Sequence, residues 1–161
     1  MTLTLQEISD RLEIQDIYAR YVHSVDDREL AVLEDIFEPE TVFDWTASGG
    51  ERMTWADARE GDFLAGRLFP YIFHICVDVR IDFDRDDQGA TVKSKTIHPT
   101  GVSGAGGEPV LFQVHGAYLD RLARRTEGWR ITERVWQDFW AVGGLHRVDG
   151  IPAMLAAAAK E

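Results

Sequence analysis

The sequence predicts an α+β domain in which N-terminal helices pack on one face of a curved antiparallel sheet. Three observations carry that expectation. The opening segment repeats apolar residues at three- and four-residue spacing, and the later segments alternate apolar and polar residues over strand-length runs. Short turn signals, not helical stretches, separate those runs. Helices first and then an antiparallel meander is the α+β order.

The helical spacing runs through Leu5, Ile8, Leu12, Ile17, Tyr18, Tyr21, Val22 and Val25. A break near Asp26–Arg28 separates it from a second helix carrying Leu30, Leu33, Ile36 and Phe37, which Pro39 ends. TVFDW at 41–45 reads as a short strand and Gly49–Gly50 as a turn. Thr54 with Asp57 three residues on predicts a capping box and a short helix over 55–66. Strands follow at 73–84, 90–98, 109–124 and 128–141, with DDQG, a glycine-rich loop and RTEG between them. In the first of these, Phe73, Ile75, Val77, Val79, Ile81 and Phe83 share one parity, and His74, Cys76, Asp78, Arg80, Asp82 and Asp84 the other. The loop GVSGAGG at 101–107 lacks the Lys-Ser/Thr of a phosphate loop and leads into a strand, so it reads as a hairpin connection. No repeat or composition shift divides residues 1–161. The core is expected over 5–140, and 141–161 is a tail ending in alanine-rich AMLAAAAKE, which favours helix.

Bulk composition narrows the partners. A net charge of −11 argues against nucleic acid and against an anionic membrane, both of which reward basic patches. No apolar run reaches the roughly 18 residues of a membrane span. MTLTLQEISD lacks the basic and apolar regions of a secretory signal, and the single Cys76 has no internal disulfide partner. The expected compartment is the cytoplasm.

Acidic Asp26 and Asp27 end the first helix. At 100° per residue Asp26 falls at the edge of the apolar stripe beside Val22, and Asp27 nearly opposite it. Either is equally readable as a helix end or a cap. The five histidines, at 23, 74, 98, 115 and 146, form no metal-binding spacing, so no metal site is expected. His23 and His146 read as surface residues, whereas periodicity leaves His74 and His115 undecided between structure and chemistry. Trp45, Trp55, Phe69, Tyr71, Trp129, Trp136 and Trp140 lie in apolar segments. Most are core, yet aromatic walls also suit a flat or cyclic apolar ligand.

LEIQDIYARYVHSVDDREL at 12–30, LEDIFEPETVFDW at 33–45, HICVDVRID at 74–82 and GAYLDRLARRTEGWRITER at 116–134 together resemble the SnoaL-like proteins. These belong to the nuclear-transport-factor-2-like superfamily. The resemblance covers residues 5–140 and implies a cone-shaped sheet with the helices over its concave face. Members such as scytalone dehydratase and hexachlorocyclohexane dehydrochlorinase use an Asp–His pair, and Asp26 and His74 match its two positions. Counted back from GWR, His115 matches a second active-site histidine. The resemblance therefore implies a pocket into which Asp26, His74 and His115 all point.

The surroundings depart from those relatives. Val25 stands where the dehydratase has a tyrosine, Trp45 falls near its second catalytic tyrosine, and Tyr21 replaces a lysine of the dehydrochlorinase. The implied activity is a cofactor-independent lyase acting on a small hydrophobic aromatic or alicyclic molecule, most simply by dehydratase-type elimination. His74, oriented by Asp26, is the expected base, and His115 serves the leaving group or a substrate oxygen. Tyr18, Tyr21 and Tyr118 are candidates to polarise a carbonyl, with Trp45 and Trp136 as further substrate contacts. The same dyad suits an isomerase or an aldol-type lyase, and a non-catalytic ligand-holding or dimerisation module is the rival from another class. An epoxide hydrolase would need an Asp–Arg–Asp set. Asp44, Arg80, Asp82 and Arg134 supply the residue types, but their alternation reads as solvated. Association through the outer face of the sheet, as a homodimer or homotrimer, is also implied.

Overall fold

The computed structural model describes residues 2–61, 69–104 and 106–143. A long helix, α1 (Leu5–Asp26), is followed by a 3-10 helix (Leu30–Asp35), β1 (Phe37–Asp44), a second 3-10 turn (Thr46–Ser48), β2 (Arg52–Thr54) and the short α2 (Trp55–Ala58). Then come β3 (Tyr71–Ile72), β4 (Ile75–Phe83), β5 (Gly89–Ser103), β6 (Pro109–Arg125) and β7 (Gly128–Gly143). One curved sheet runs in the order β2-β1-β7-β6-β5-β3, and β4 pairs with β5 beside β3. The helix expected over 55–66 ends already at Ala58, while residues 62–68, His146 and the alanine-rich tail lie outside the described residues.

Thr4 starts α1 through a capping box. Its hydroxyl accepts from the Glu7 N–H, and the Glu7 carboxylate accepts from the Thr4 N–H. The buried face is Asp10, Ile14, Ile17, Tyr18, Tyr21, Ser24 and Val25, a three- and four-residue stripe. Leu5, Ile8 and Leu12, expected to share that stripe, are exposed. They lie on the opposite side of the helix, since three- and four-residue spacing describes two faces equally well when both carry apolar residues. Polar bonds fix the docking of α1 on the β6–β7 hairpin. Arg124 grips Asp10 with two bonds of 2.7 Å, and Glu13 accepts the Trp129 N–H at 2.7 Å.

Three local expectations are corrected. The second helix is a single 3-10 segment, and Pro39 lies inside β1 instead of ending a helix. β1 runs parallel to β7, and its register slips between Phe37 and Val42; that irregularity is where a strand tolerates a residue without an N–H. The sheet is therefore mixed, with one parallel pairing beside its antiparallel meander.

The third correction positions the site. The apolar parity of 73–84 is not one face. Phe73, at 56 % exposure, Ile75 and Val77 point outward, whereas His74 is buried at 5 %. Beyond Asp78 the sides exchange, so Ile81 is buried and Val79 and Phe83 pack on the core. Asp78 adopts left-handed φ 52, and the register against β5 slips between Val77 and Arg80. This is a β-bulge, and one extra residue reverses every later side chain.

Candidate active site

The concave face of the sheet is built in rungs. Val92, Asp120 and Arg134 are mutually opposite on β5, β6 and β7, and Ser94, Tyr118 and Trp136 form the next rung. Residues directly opposite share a face, so Asp120, Arg134, Tyr118 and Trp136 all point toward α1. Gly116 makes room on the following rung. A Cβ there would run into the Trp136 ring and the Gln137 carbonyl.

Asp26 is the last residue of α1. Arg28, in the left-handed region at φ 63, turns the chain sharply after it, and the Arg28 guanidinium donates to the Phe69 carbonyl at 2.9 Å. That bond draws the segment before β4 against the helix end. One Asp26 oxygen accepts the His74 backbone N–H at 2.9 Å, and the other lies 2.5 Å from His74 Nδ1. A carboxylate only accepts, so Nδ1 carries a proton, and in the neutral ring Nε2 then holds the lone pair. Nε2 is buried and has no hydrogen-bond partner. Asp27 is exposed, as its helical position predicts.

Around this pair stand aromatic and imidazole rings. The His98 ring lies 4.4 Å from His74 and stacks on Trp136 at 5.2 Å. Tyr118 reaches His98 Nε2 at 3.5 Å, and the Tyr21 and Tyr118 hydroxyls are 3.4 Å apart. Burial pushes the His98 imidazole well below the ordinary histidine range, and the Arg134 charge pushes it the same way. His98 is therefore neutral at physiological pH.

Beneath the rings lies a buried ion pair. Arg134 donates to Asp120 from Nε at 3.0 Å and from Nη2 at 2.7 Å, and the Tyr18 hydroxyl donates to Asp120 at 2.5 Å. The guanidinium carbon lies 4.1 Å from the Tyr21 ring centre and 4.2 Å from that of Tyr118. Burial works against the Arg134 charge, but the Asp120 carboxylate more than offsets it. Among the described residues no group of three His, Cys, Asp or Glu side chains could hold a metal ion.

The structure brings Asp26, His74, Tyr21, Tyr118 and Trp136 together, with Tyr18 in the layer below. It does not bring His115 to them. β6 keeps an unbroken register with β5 from His115 to Tyr118, the extra residue at the His115–Gly116 irregularity lying on β7, so His115 points to the outer face, bonded to Gln113 at 3.1 Å and stacked on exposed Trp140. The histidine that meets His74 is His98. Its parity with Val92, Ser94 and Thr96, against outward Lys93 and Lys95, was the available signal. Trp45 lies just past the end of β1, tilted on Phe43 in an aromatic cluster with Phe37 and Trp55 behind Tyr21. Arg134, read as solvated, is fully buried, whereas Arg80 and Asp82 pair in solvent as expected.

The sequence profile of the SnoaL-like domain matches residues 6–135. An uncharacterized protein of Mycobacterium tuberculosis (strain ATCC 25618 / H37Rv) is 29% identical over 133 residues, covering 83% of this chain and 88% of its own. Among solved structures, a protein of Novosphingobium aromaticivorans provisionally named a scytalone dehydratase superposes with TM-score 0.72 at 17% identity, covering 88% of this chain and 91% of that one. Hexachlorocyclohexane dehydrochlorinase LinA-type3 of Novosphingobium barchaimii LL02 superposes with TM-score 0.74 at 16% identity, covering 89% and 97%. At such identities the likeness concerns the fold.

Proposed function

The chain belongs to the SnoaL-like domain family, and from that premise we propose that it is a cofactor-independent lyase using Asp26 and His74 for proton abstraction. The observation that carries this reading is the His74 ring itself. Nδ1 is held by Asp26, and Nε2 is buried and without a partner, so in the neutral ring its lone pair is free. A buried imidazole with one nitrogen anchored by a carboxylate and the other free has the arrangement of a general base. Asp26 fixes the tautomer and stabilises the imidazolium formed when Nε2 takes a proton.

The substrate is a small hydrophobic molecule, aromatic or alicyclic, resting against Trp136 and Tyr118. His74 removes a proton from carbon, and a β-hydroxyl leaves as water in a dehydratase-type elimination. Neutral His98, rather than His115, is the second imidazole at the reacting atoms, and it hydrogen-bonds the leaving oxygen. The same initial step serves an isomerase or an aldol-type lyase; these differ in where the electron pair goes, not in the base. The dehydratase and dehydrochlorinase names of the structural neighbours support elimination as the first chemistry to test.

The test is a screen of hydroxylated aromatic and alicyclic compounds for loss of water, with His74→Ala beside the wild type. A positioned base contributes roughly 10²–10⁴-fold, so turnover of a substrate found in the screen falls by about that factor in the variant. Turnover surviving within a few-fold contradicts the reading. A ligand bound equally by Asp26→Asn and recovered unchanged favours a binding module.

A further inference from the structure

Of the three tyrosines on the concave face, Tyr18 is engaged, its hydroxyl giving its hydrogen to Asp120. Tyr21 and Tyr118 are different. Their hydroxyls meet each other at 3.4 Å, and Tyr118 meets His98 at 3.5 Å, well beyond the usual distance of about 2.7–2.8 Å for an O–H donor. Two buried donors are thus held side by side without a firm acceptor. Buried polar groups are ordinarily satisfied, and catalytic hydrogen bonds are often long until substrate arrives.

Under both rings lies the Arg134 guanidinium, fully buried, with Nη1 lacking any partner. We infer that the Tyr21 and Tyr118 hydroxyls form a donor pair for a substrate oxygen that becomes negatively charged during the reaction, and that Arg134, fixed by Asp120 and Tyr18, is the positioning residue whose cation strengthens them. Burial pushes both phenols up, so both remain protonated donors at neutral pH, while the Arg134 charge pulls against that rise. A fixed cation beneath a phenol ring favours negative charge at its oxygen, which makes the O–H a better donor.

The inference rests on the proton-abstraction reading and specifies its substrate. The proton removed must lie on a carbon next to a carbonyl. His74 Nε2 takes it, the C–H electron pair forms a carbon–carbon double bond, and the carbonyl π pair moves to oxygen. The resulting enolate oxygen receives the two tyrosine hydrogen bonds. When the enolate collapses, its electrons form the new double bond and expel the β-hydroxyl, which takes the proton from His74 and departs as water. No oxidant, reductant or further reactant enters.

The probe is 4-nitrophenol, whose phenolate oxygen mimics an enolate and whose colour reports its ionisation. The wild-type protein is expected to bind it as the phenolate and to lower its apparent pKa. Tyr21→Phe and Tyr118→Phe should each weaken phenolate binding by roughly tenfold or more, because a hydrogen bond to a charged oxygen is lost. Binding of 4-nitrotoluene, similar in shape but without the ionisable oxygen, should change little. Arg134→Gln, checked for folding by circular dichroism, should lose the preference for the anion, and Arg134→Lys should recover part of it. Should Arg134→Gln not fold, the two tyrosine variants decide. Failure of the wild type to bind 4-nitrophenol, binding in the neutral form, or phenolate affinity unchanged from wild type in both tyrosine variants overturns the donor pair. The His74 tautomer, read by 15N NMR on the same proteins, separates the two ideas. If His74 keeps its proton on Nδ1 while phenolate binding fails, the donor pair alone falls. If the tautomer is wrong while phenolate binds as expected, the base falls and the donor pair stands.

Discussion

Asp120 and Arg134 face each other across one rung of the β6–β7 hairpin, and neither exposes any surface to solvent. Their cross-strand position makes two bonds possible without bending either strand, and Tyr18 from α1 adds a third donor to the carboxylate. A buried pair of this kind is weak support for stability in itself, but breaking it is costly because the remaining charge has nowhere to go.

Asp120→Leu is accordingly expected to lower stability by about 3–5 kcal/mol, leaving the Arg134 cation uncompensated. The double variant Asp120→Leu/Arg134→Met removes both charges and should lose much less. Urea unfolding of the three proteins checks this. A double variant as unstable as the single one would mean that the cost lies in packing and not in the orphaned charge.

Gly116→Ala is expected to cost about 1–3 kcal/mol through overpacking, because the new methyl meets the Trp136 ring and a backbone carbonyl. Trp136 would move off His98, changing the tryptophan fluorescence. An unchanged spectrum and an unchanged urea midpoint would show that the contact relaxes without disturbing the wall.

Acid stability should decline in two stages. His98 has a depressed folded value, so the stability it contributes is present above the ordinary value of 6.5 and is lost as pH falls below it. The Arg124 guanidinium, with hydrogen bonds from Trp129 and Gln6, holds the Asp10 carboxyl at about 2 against partial burial. Its contribution is present above 3.8 and is lost as pH falls toward about 2. His98→Asn should remove the first stage and Asp10→Asn the second, measured as unfolding free energy against pH. Curves parallel to wild type would contradict both assignments.

The outer face carries Tyr71, Phe73, Ile75, Val77, Leu111, Phe139, Trp140 and Val142 as exposed apolar residues. Ile75, Ile97, His115 and Trp140 lie opposite one another on successive strands, so the patch is continuous across the sheet. At roughly 100 Å² apiece these side chains offer about 800 Å², which is what one partner contributes to a standard interface. We propose that a second copy covers this face. Trp140→Glu should shift the sedimenting species toward monomer while leaving the concave face intact. A wild-type monomer at high concentration would contradict the proposal.

Much of this arrangement is written in local patterns. The Thr54–Asp57 capping box, the inward Asp26 and outward Asp27, and the four long strands follow from periodicity and turn residues. The face of His74 does not, because the reversal at Asp78 depends on how β5 pairs with β4, and a regular alternation looks the same with or without a bulge. The parallel pairing of β1 with β7 is equally non-local. His115 sits on a strand of mixed character, whereas His98 shares the inward parity of Val92, Ser94 and Thr96, and the register of three strands shows that it is the one that meets His74. Strand alternation places Arg134 in solvent, where a charge on a strand ordinarily is. Its burial depends on Asp120, fourteen residues earlier in sequence and directly opposite in space.

The tautomer of the His74 ring decides whether it is a base oriented by Asp26. Long-range 1H–15N NMR on the wild-type protein and on Asp26→Ala reports which nitrogen bears the proton. A wild-type ring protonated at Nδ1 and bare at Nε2 is expected, with that preference lost in Asp26→Ala. A wild-type ring protonated at Nε2, or two proteins with the same tautomer, would mean that Asp26 does not orient a base and that the proposed elimination lacks its first step.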